Sequence, residues 1–110
     1  MVLTTLDEDG FPHSVPMGYF PFEGKLYLGC RRATRKVRNL LRNPRVSLYV
    51  DNGRAEKPHL VVFIQGTARL VESGDELERV RRASGRDGAL AEGVVYIEVT
   101  PVKMRSWEHG

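Results

Sequence analysis

The longest extended segment of the chain runs from His59 to Glu72, with the sequence HLVVFIQGTARLVE. Val, Ile and Phe dominate its first half, which is typical of β-strands. Gly66 interrupts the segment near its middle, and a glycine inside a strand marks a bulge or a close approach of two backbones. A strand of this length with a bend inside it predicts a curved sheet and argues against a helical fold.

Further segments have the composition or the period-two alternation of β-strands. Asp9-Gly10 and Glu23-Gly24 are turn signals between the first three of them. Proline has no backbone N–H, so Pro16 predicts an edge strand and Pro101 predicts an edge or a bend. The segments are residues 2–6, 13–20, 25–30 and 45–51, together with a strand around Pro101.

Two short helices are predicted between the strands. The first begins at Thr34 and ends at Asn43-Pro44, and the second begins at Ser73 and ends at Gly85. Ser73 and Glu76 have the spacing of a capping box. The apolar stripe of the first helix consists of Val37, Leu40 and Leu41, and that of the second consists of Leu77 and Val80.

The 110 residues predict a single domain over residues 1–110, because the chain is long enough for one core and too short for two. Six strands and two short helices make the predicted fold mainly β. Strands interrupted by Gly and Pro favour a small barrel over a flat sheet, because closure removes exposed edges. A polar loop is expected at residues 52–58.

Composition excludes several classes of protein. Apolar residues at 41% and charged residues at 28% indicate a folded globular chain. Cys30 is the single cysteine and the three histidines are scattered, so we expect no disulfide, no metal site and a reducing cytoplasm. No apolar run approaches the roughly 18 residues of a membrane helix, so no membrane partner is expected.

The start of the first predicted helix has an unusual charge. A helix N-terminus already carries roughly half a positive charge, yet Arg31, Arg32, Arg35 and Lys36 surround this one. Each positive charge at this end that has no compensating partner destabilises the helix by up to about 1 kcal/mol. A phosphate would reverse the balance by accepting hydrogen bonds from backbone N–H groups and the Thr34 hydroxyl. The cluster predicts a phosphate-binding site, with a solvent-exposed basic surface as the alternative.

The rest of the sequence indicates which kind of phosphate-bearing ligand the cluster would bind. The net charge of +3 is small, and a nucleic-acid surface needs a broader basic stripe with exposed aromatic residues. Neither GxGxxG after a first strand nor a P-loop pattern is present. One compact site favours a mononucleotide, and no specific nucleic-acid partner is expected. Asp7, Glu8 and Asp9 are interpreted as a solvent-exposed turn.

The segment around the first helix resembles the pyridoxamine 5'-phosphate oxidase-like, flavin-binding split barrels. In that family a strand ends in a small polar residue, followed by Ser or Thr, a Lys two residues later, Asn-Leu and Asn-Pro. The matching residues here are Cys30, Thr34, Lys36, Asn39-Leu40 and Asn43-Pro44. The resemblance extends to residues 3–19 and 64–72, although relatives often carry Thr where Cys30 stands.

This resemblance implies a six-stranded split β-barrel and a set of flavin contacts. The phosphate contacts would come from Cys30, Arg31, Thr34, Arg35 and Lys36. Backbone groups along the isoalloxazine ring would come from Ser14, Val15, Pro16 and Met17. Trp107 resembles an aromatic residue that relatives place near the flavin, sometimes across a homodimer, and packing in the core or an interface is its alternative role.

The resemblance also implies a function. We expect binding of FMN, or of the deazaflavin F420, for redox chemistry on a small organic substrate. No residue is identified as catalytic, because a flavin performs the hydride chemistry itself. An oxidoreductase is the first expectation. A non-catalytic flavin-binding or electron-transfer module is the alternative, and a basic small-barrel nucleic-acid binder is the third.

Overall fold

The computed structural model describes residues 1–53, 59–85 and 93–109, with backbone alone for residues 59 and 107–109. Most of the polar loop expected at residues 52–58 lies outside the described residues. The described chain forms seven strands and two helices. In chain order they are β1 (Val2–Leu6), β2 (Pro12–Pro16), β3 (Phe20–Phe22), β4 (Lys25–Arg31), α1 (Arg35–Arg42), β5 (Arg45–Asp51), β6 (His59–Val71), α2 (Gly74–Ala83) and β7 (Val94–His109).

All seven strands belong to one antiparallel sheet with the order β2-β1-β5-β6-β7-β4-β3. The mainly β, split-barrel prediction is confirmed. The sheet has one strand more than the six predicted, because the chain leaves the sheet after Pro16 and returns at Phe20 as a separate short strand. Strand β2 is an edge strand, as its prolines predict.

A β-bulge interrupts the pairing of β6 with β7, where the sequence predicts it. The register shifts between Gln65 and Gly66, and Gly66 faces Pro101. A Cβ atom on Gly66 would lie 2.4 Å from the carbonyl oxygen of Thr100, a distance that only glycine avoids. Pro101 follows Val99, which is the last residue of β7 paired with β4. Pro101 therefore lies beyond the part of β7 that has strand partners on both sides in the described residues.

The buried residues form two core clusters on opposite faces of β4. The first core cluster consists of Leu3, Leu28, Leu40, Val46, Leu48, Ile64, Ala68, Ile97 and Val99. The second core cluster consists of Tyr27, Val71, Val80, Val94 and Tyr96. Neighbouring residues Tyr27 and Leu28 are therefore both buried. The alternation of residues 25–30 in the sequence predicts a half-buried strand, and this is wrong because α2 covers the second face of β4 through Val80.

The helix boundaries match the prediction more closely than the helix contacts do. Helix α1 is capped by Thr34 and Asn43, but Leu41 is 55% exposed and Asn39 is buried beside the apolar residues. The capping box predicted at the start of α2 is absent, because the Ser73 side chain makes no capping hydrogen bond. Glu76 instead forms an ion pair with Arg69 on β6.

A buried carboxylate joins three strands beside the second core cluster. Glu98 on β7 is 5% exposed and accepts hydrogen bonds from the Tyr27 hydroxyl at 2.8 Å, Lys25 at 3.2 Å and Arg69 at 3.0 Å. Burial by itself would raise the pKa of Glu98, but these three donors outweigh it and lower that pKa. Burial and the Glu98 carboxylate raise the pKa of Tyr27 to about 12.

We expect Glu98→Gln to lower the free energy of unfolding by about 1–3 kcal/mol at pH 7, because Lys25 and Arg69 lose a charged acceptor. The folded-state pKa of Glu98 is depressed, so its contribution is present above the unfolded-state pKa and disappears as the pH falls through the folded-state pKa. The difference between wild type and variant in urea unfolding should therefore shrink between roughly pH 5 and pH 3.

The matched control is Glu78→Gln, which removes an exposed carboxylate paired with Arg81 within α2. Its effect should stay within about 0.5 kcal/mol at all pH values. Equal effects of the two substitutions would show that the buried network contributes no more than a surface ion pair.

Candidate functional site

The candidate site begins where β4 passes into α1. Arg31 ends the strand, Thr34 caps the helix in an extended conformation, and no acidic residue lies in the first turn. Four of the eight residues of α1 are cationic. They are Arg35, Lys36, Arg38 and Arg42. The cationic helix start predicted from sequence is therefore present. Cations that already pair with carboxylates are less available to a ligand than those that do not.

Two cations of the predicted cluster already have carboxylate partners. Arg35 forms a two-pronged ion pair with Asp7 at the end of β1, with a distance of 2.9 Å from its Nε to Oδ1. Arg32 pairs with Glu72 after β6, with 2.6 Å between Nε and Oε2. Part of the anionic charge that the helix lacks in sequence is thus supplied by acidic residues from distant parts of the chain.

Asp7 is a residue whose role the sequence interpretation missed. Its side chain is 13% exposed, although the turn was interpreted as solvent-exposed. Asn39 donates to its Oδ1 at 2.9 Å and to the hydroxyl of buried Thr5 at 3.0 Å. Hydrogen bonds from Arg35 and Asn39 lower the pKa of Asp7. The only sequence signal was the four-residue spacing of Arg35 and Asn39, which places both on one helix face.

Lys36, Thr34 and Cys30 come together at the helix start. Within the described ranges, Lys36 has no hydrogen-bond or ion-pair partner. The Thr34 hydroxyl donates to the Arg31 carbonyl at 3.2 Å and makes no capping bond to the helix. The first intrahelical bond runs from the Arg38 N–H to the Thr34 carbonyl, so the N–H groups before it have no intrahelical acceptor. These donors and the Lys36 charge form a site that fits a phosphate.

Cys30 lies at the edge of this site as a neutral thiol. Burial raises its pKa, while the charge of Lys36 and a hydrogen bond from Thr34 act in the opposite direction. The thiol packs against the first core cluster. Cys30 therefore offers a phosphate at most a weak donor.

The second part of the site is the free edge of β2. Val15 and Met17 pack against the first core cluster, as Cys30 does. Since β2 and β4 lie far apart in the strand order, this shared contact shows that the sheet curls until both approach one core. Ser14 and Pro16 are exposed between them. Beyond Tyr27, β4 has no strand partner on its β3 side within the described ranges, so two unpaired edges flank the opening.

Arg31 and Trp107 complete the set of predicted site residues. Arg31 is exposed at the end of β4, where it pairs with Val94 in the β4–β7 ladder. The backbone of Trp107 lies opposite Val61 in the β6–β7 ladder. Its side chain is outside the described atoms, so the predicted flavin contact of Trp107 stays a prediction.

The family profile of pyridoxamine 5'-phosphate oxidase matches residues 1–108. The chain belongs to the pyridoxamine 5'-phosphate oxidase family. The resemblance identified around Cys30, Thr34 and Lys36 is therefore confirmed at the level of the family. No curated protein sequence matches the chain. No described helix of this family member is long and apolar enough to cross a membrane.

Solved structures share the fold of this pyridoxamine 5'-phosphate oxidase family member. The conserved hypothetical protein Rv2991 from Mycobacterium tuberculosis is 27% identical, with a TM-score of 0.79 over 98% of this chain and 76% of that one. A FAD-binding protein from Mesorhizobium loti is 23% identical, with a TM-score of 0.77 over 99% and 86%. A heme-binding protein from Mycobacterium smegmatis is 24% identical, with a TM-score of 0.78 over 96% and 47%. The last two likenesses show the fold alone.

The raised pKa of Cys30 predicts slow alkylation. We expect the rate of reaction with iodoacetamide to rise with pH to a midpoint above that of a free cysteine, because burial disfavours the thiolate. Lys36→Gln should move the midpoint higher, since it removes a nearby positive charge. Lys25→Gln, a change far from Cys30 in the β4 strand, should leave it unchanged, and a midpoint at or below that of free cysteine would contradict the assigned environment.

Proposed function

We propose that the protein binds FMN and uses it for redox chemistry on a small organic substrate. The observation that supports this most is Lys36, a cation with no partner in the described residues, beside Thr34 and the free N–H groups of the α1 start. A phosphate at a helix N-terminus is stabilised by those N–H groups and by the helix dipole. The family match supports a flavin as the molecule that carries the phosphate.

Charge matching favours FMN over the deazaflavin F420. A longer acidic tail would need several unpaired cations around the helix start. Arg32 is paired with Glu72 and Arg35 with Asp7, so less positive charge is available there than the sequence suggests. The single phosphate monoester of FMN needs only the local donors and Lys36, with Arg31 at the strand end.

The isoalloxazine ring is proposed to lie along the free edge of β2. This edge consists of residues 14–17, of which Met17 already has its N–H and its carbonyl hydrogen-bonded to Met1. The apolar side chains of Val15 and Met17 pack against the first core cluster. A bound flavin supplies hydride or electron transfer, while this chain orients it and limits its contact with water. Multiple turnovers with a small organic acceptor distinguish the proposed enzyme from a non-catalytic flavin carrier.

The site is proposed to be completed by a second copy of the chain. The outer end of the β6–β7 ribbon exposes Leu60 (45%) and Met104 (62%), which share one face of the ribbon by their register. Apolar surface of this kind marks interfaces. In a two-fold dimer the same ribbon would bring Trp107, or its neighbours Arg105 and Ser106, to the partner's flavin. The half-buried single cysteine fits a reducing cytoplasm for such an assembly.

We expect Lys36→Ala to weaken FMN binding by about tenfold to a hundredfold, because one charge-assisted phosphate contact is lost. Fluorescence titration of FMN into the wild type and the variant measures this change. Riboflavin, which lacks the phosphate, should bind both proteins with equal and lower affinity.

Arg38→Ala is the matched control, since Arg38 is an exposed cation on the same helix. It should change FMN affinity by less than about threefold, as expected for long-range charge alone. An unchanged affinity in Lys36→Ala, or equal losses in both variants, would contradict a phosphate held at the helix start.

We expect sedimentation equilibrium at micromolar concentration to give a homodimer, with more than about 2,000 Å² buried in total. Met104→Glu should shift the protein toward monomer and weaken FMN binding, because a charge would be buried in the interface. Phe11→Glu, which changes an exposed aromatic residue at the β1–β2 turn (70% exposed), should do neither. A wild-type monomer that binds FMN stoichiometrically would refute the shared site.

A further inference from the structure

A groove of about 690 Å³ lies on the outer face of the sheet, away from the candidate flavin site. Helix α1 packs on the inner face through Leu40, a member of the first core cluster. The groove is lined by β1, β5, β6 and β7. Its lining includes Thr4, Arg45, Ser47, Gln65, Thr67 and Lys103. Its volume falls in the range of small-molecule sites.

The strand register explains the polar floor of this groove. Thr4 pairs with Ser47, Ser47 pairs with Gln65, and Gln65 pairs with Lys103. The four side chains therefore form one continuous row across four strands. They alternate along each strand with residues of the inner face, so they lie on the side opposite the first core cluster. Hydroxyl and amide groups in such a row can hydrogen-bond a polar ligand at several points.

The β-bulge beside Gly66 forms part of the lining of this groove. The register shift beside Gly66 bends β6 and β7 together, and a bulge increases both the bend and the twist of the strand that contains it. Val102 and Lys103 follow immediately after Pro101 and line the groove on its β7 side.

The charge of the groove is entirely positive in the described residues. Neither Arg45 nor Lys103 has a side-chain hydrogen bond or ion pair within the described ranges, and no acidic residue lines the groove. Several cations elsewhere in the described residues pair with carboxylates, as Arg69 does with Glu98 and Arg79 does with Glu23. The backbones of β5 and β7 lie about 10 Å apart across β6, so one small molecule can reach both cations.

We propose that this groove binds a small, hydroxyl-bearing anion, such as a sugar phosphate or a hydroxylated carboxylate. Arg45 and Lys103 contact the anionic group, and the row of Thr4, Ser47 and Gln65 contacts the hydroxyl groups. This site is separate from the proposed flavin site, since it lies on the other face of the sheet and no residue of α1 or β2 lines it. The Thr4 hydroxyl shares a 2.8 Å hydrogen bond with the Ser14 hydroxyl of β2.

The experiment titrates ribose 5-phosphate into ¹⁵N-labelled protein and follows backbone amide shifts. We expect saturable shifts at Thr4, Ser47 and Gln65, and no such shifts with ribose. The double variant Arg45→Gln/Lys103→Gln should bind ribose 5-phosphate about tenfold or more weakly, because two charged donors are removed. Lys36→Ala should leave these shifts unchanged, whether or not the α1 start binds FMN.

Arg38→Gln is the matched control for the loss of one exposed arginine. This variant should bind ribose 5-phosphate with the same affinity as the wild type. Well-dispersed spectra of the double variant establish that it is folded. The proposal is overturned if shifts are confined to residues 30–36, if sodium chloride at equal ionic strength reproduces them, or if the double variant binds equally well. Absence of binding in a dimer that covers the groove would overturn it too.

Discussion

The close contact between Gly66 and the Thr100 carbonyl is the constraint on which the shape of the molecule depends. It allows a 13-residue strand and a 16-residue strand to stay paired while both bend. A straight ribbon of this length would hold the outer strands of the sheet apart. With the bend, the free edge of β2 and the end of β4 approach the same core cluster. The opening between those two edges is where the candidate flavin site lies.

Charge pairing across distant segments separates the structural cations from those available for ligands. Asp7 fixes α1 to the end of β1 through Arg35 and Asn39, and Glu72 holds Arg32 beside the end of β6. Each pair connects segments that are at least 28 residues apart. Because these partners are found within the fold, the remaining cations at the helix start and on the outer face are the ones that a ligand would meet.

The sequence predicted most of the elements because their signals are local. Helix α1 begins after Thr34 and ends at Asn43-Pro44, and the bulge occurs at Gly66, since caps, prolines and glycines act on the nearest few residues. The apolar stripe predicted for the first helix includes Val37 and Leu40, which are both buried, for the same reason. By contrast, the burial of Tyr27 depends on α2, which begins 47 residues further along, and alternation within β4 carries no information about it.

The sequence predicted the position of the candidate site, but not which of its cations are available to a ligand. The motif around Thr34 and Lys36 placed it at the α1 start, because that motif is contiguous. It also counted Arg35 as a ligand for phosphate, whereas the fold pairs Arg35 with Asp7. Asp7 stabilises α1 in this way and removes one cation from the ligand site. Lys36 stays at that site as a cation for which the described residues provide no hydrogen-bond or ion-pair partner. Affinity for phosphate is thereby assigned to Lys36, and stability of α1 to the Arg35–Asp7 pair. A substitution at one of these positions can change its own property without direct loss of the other.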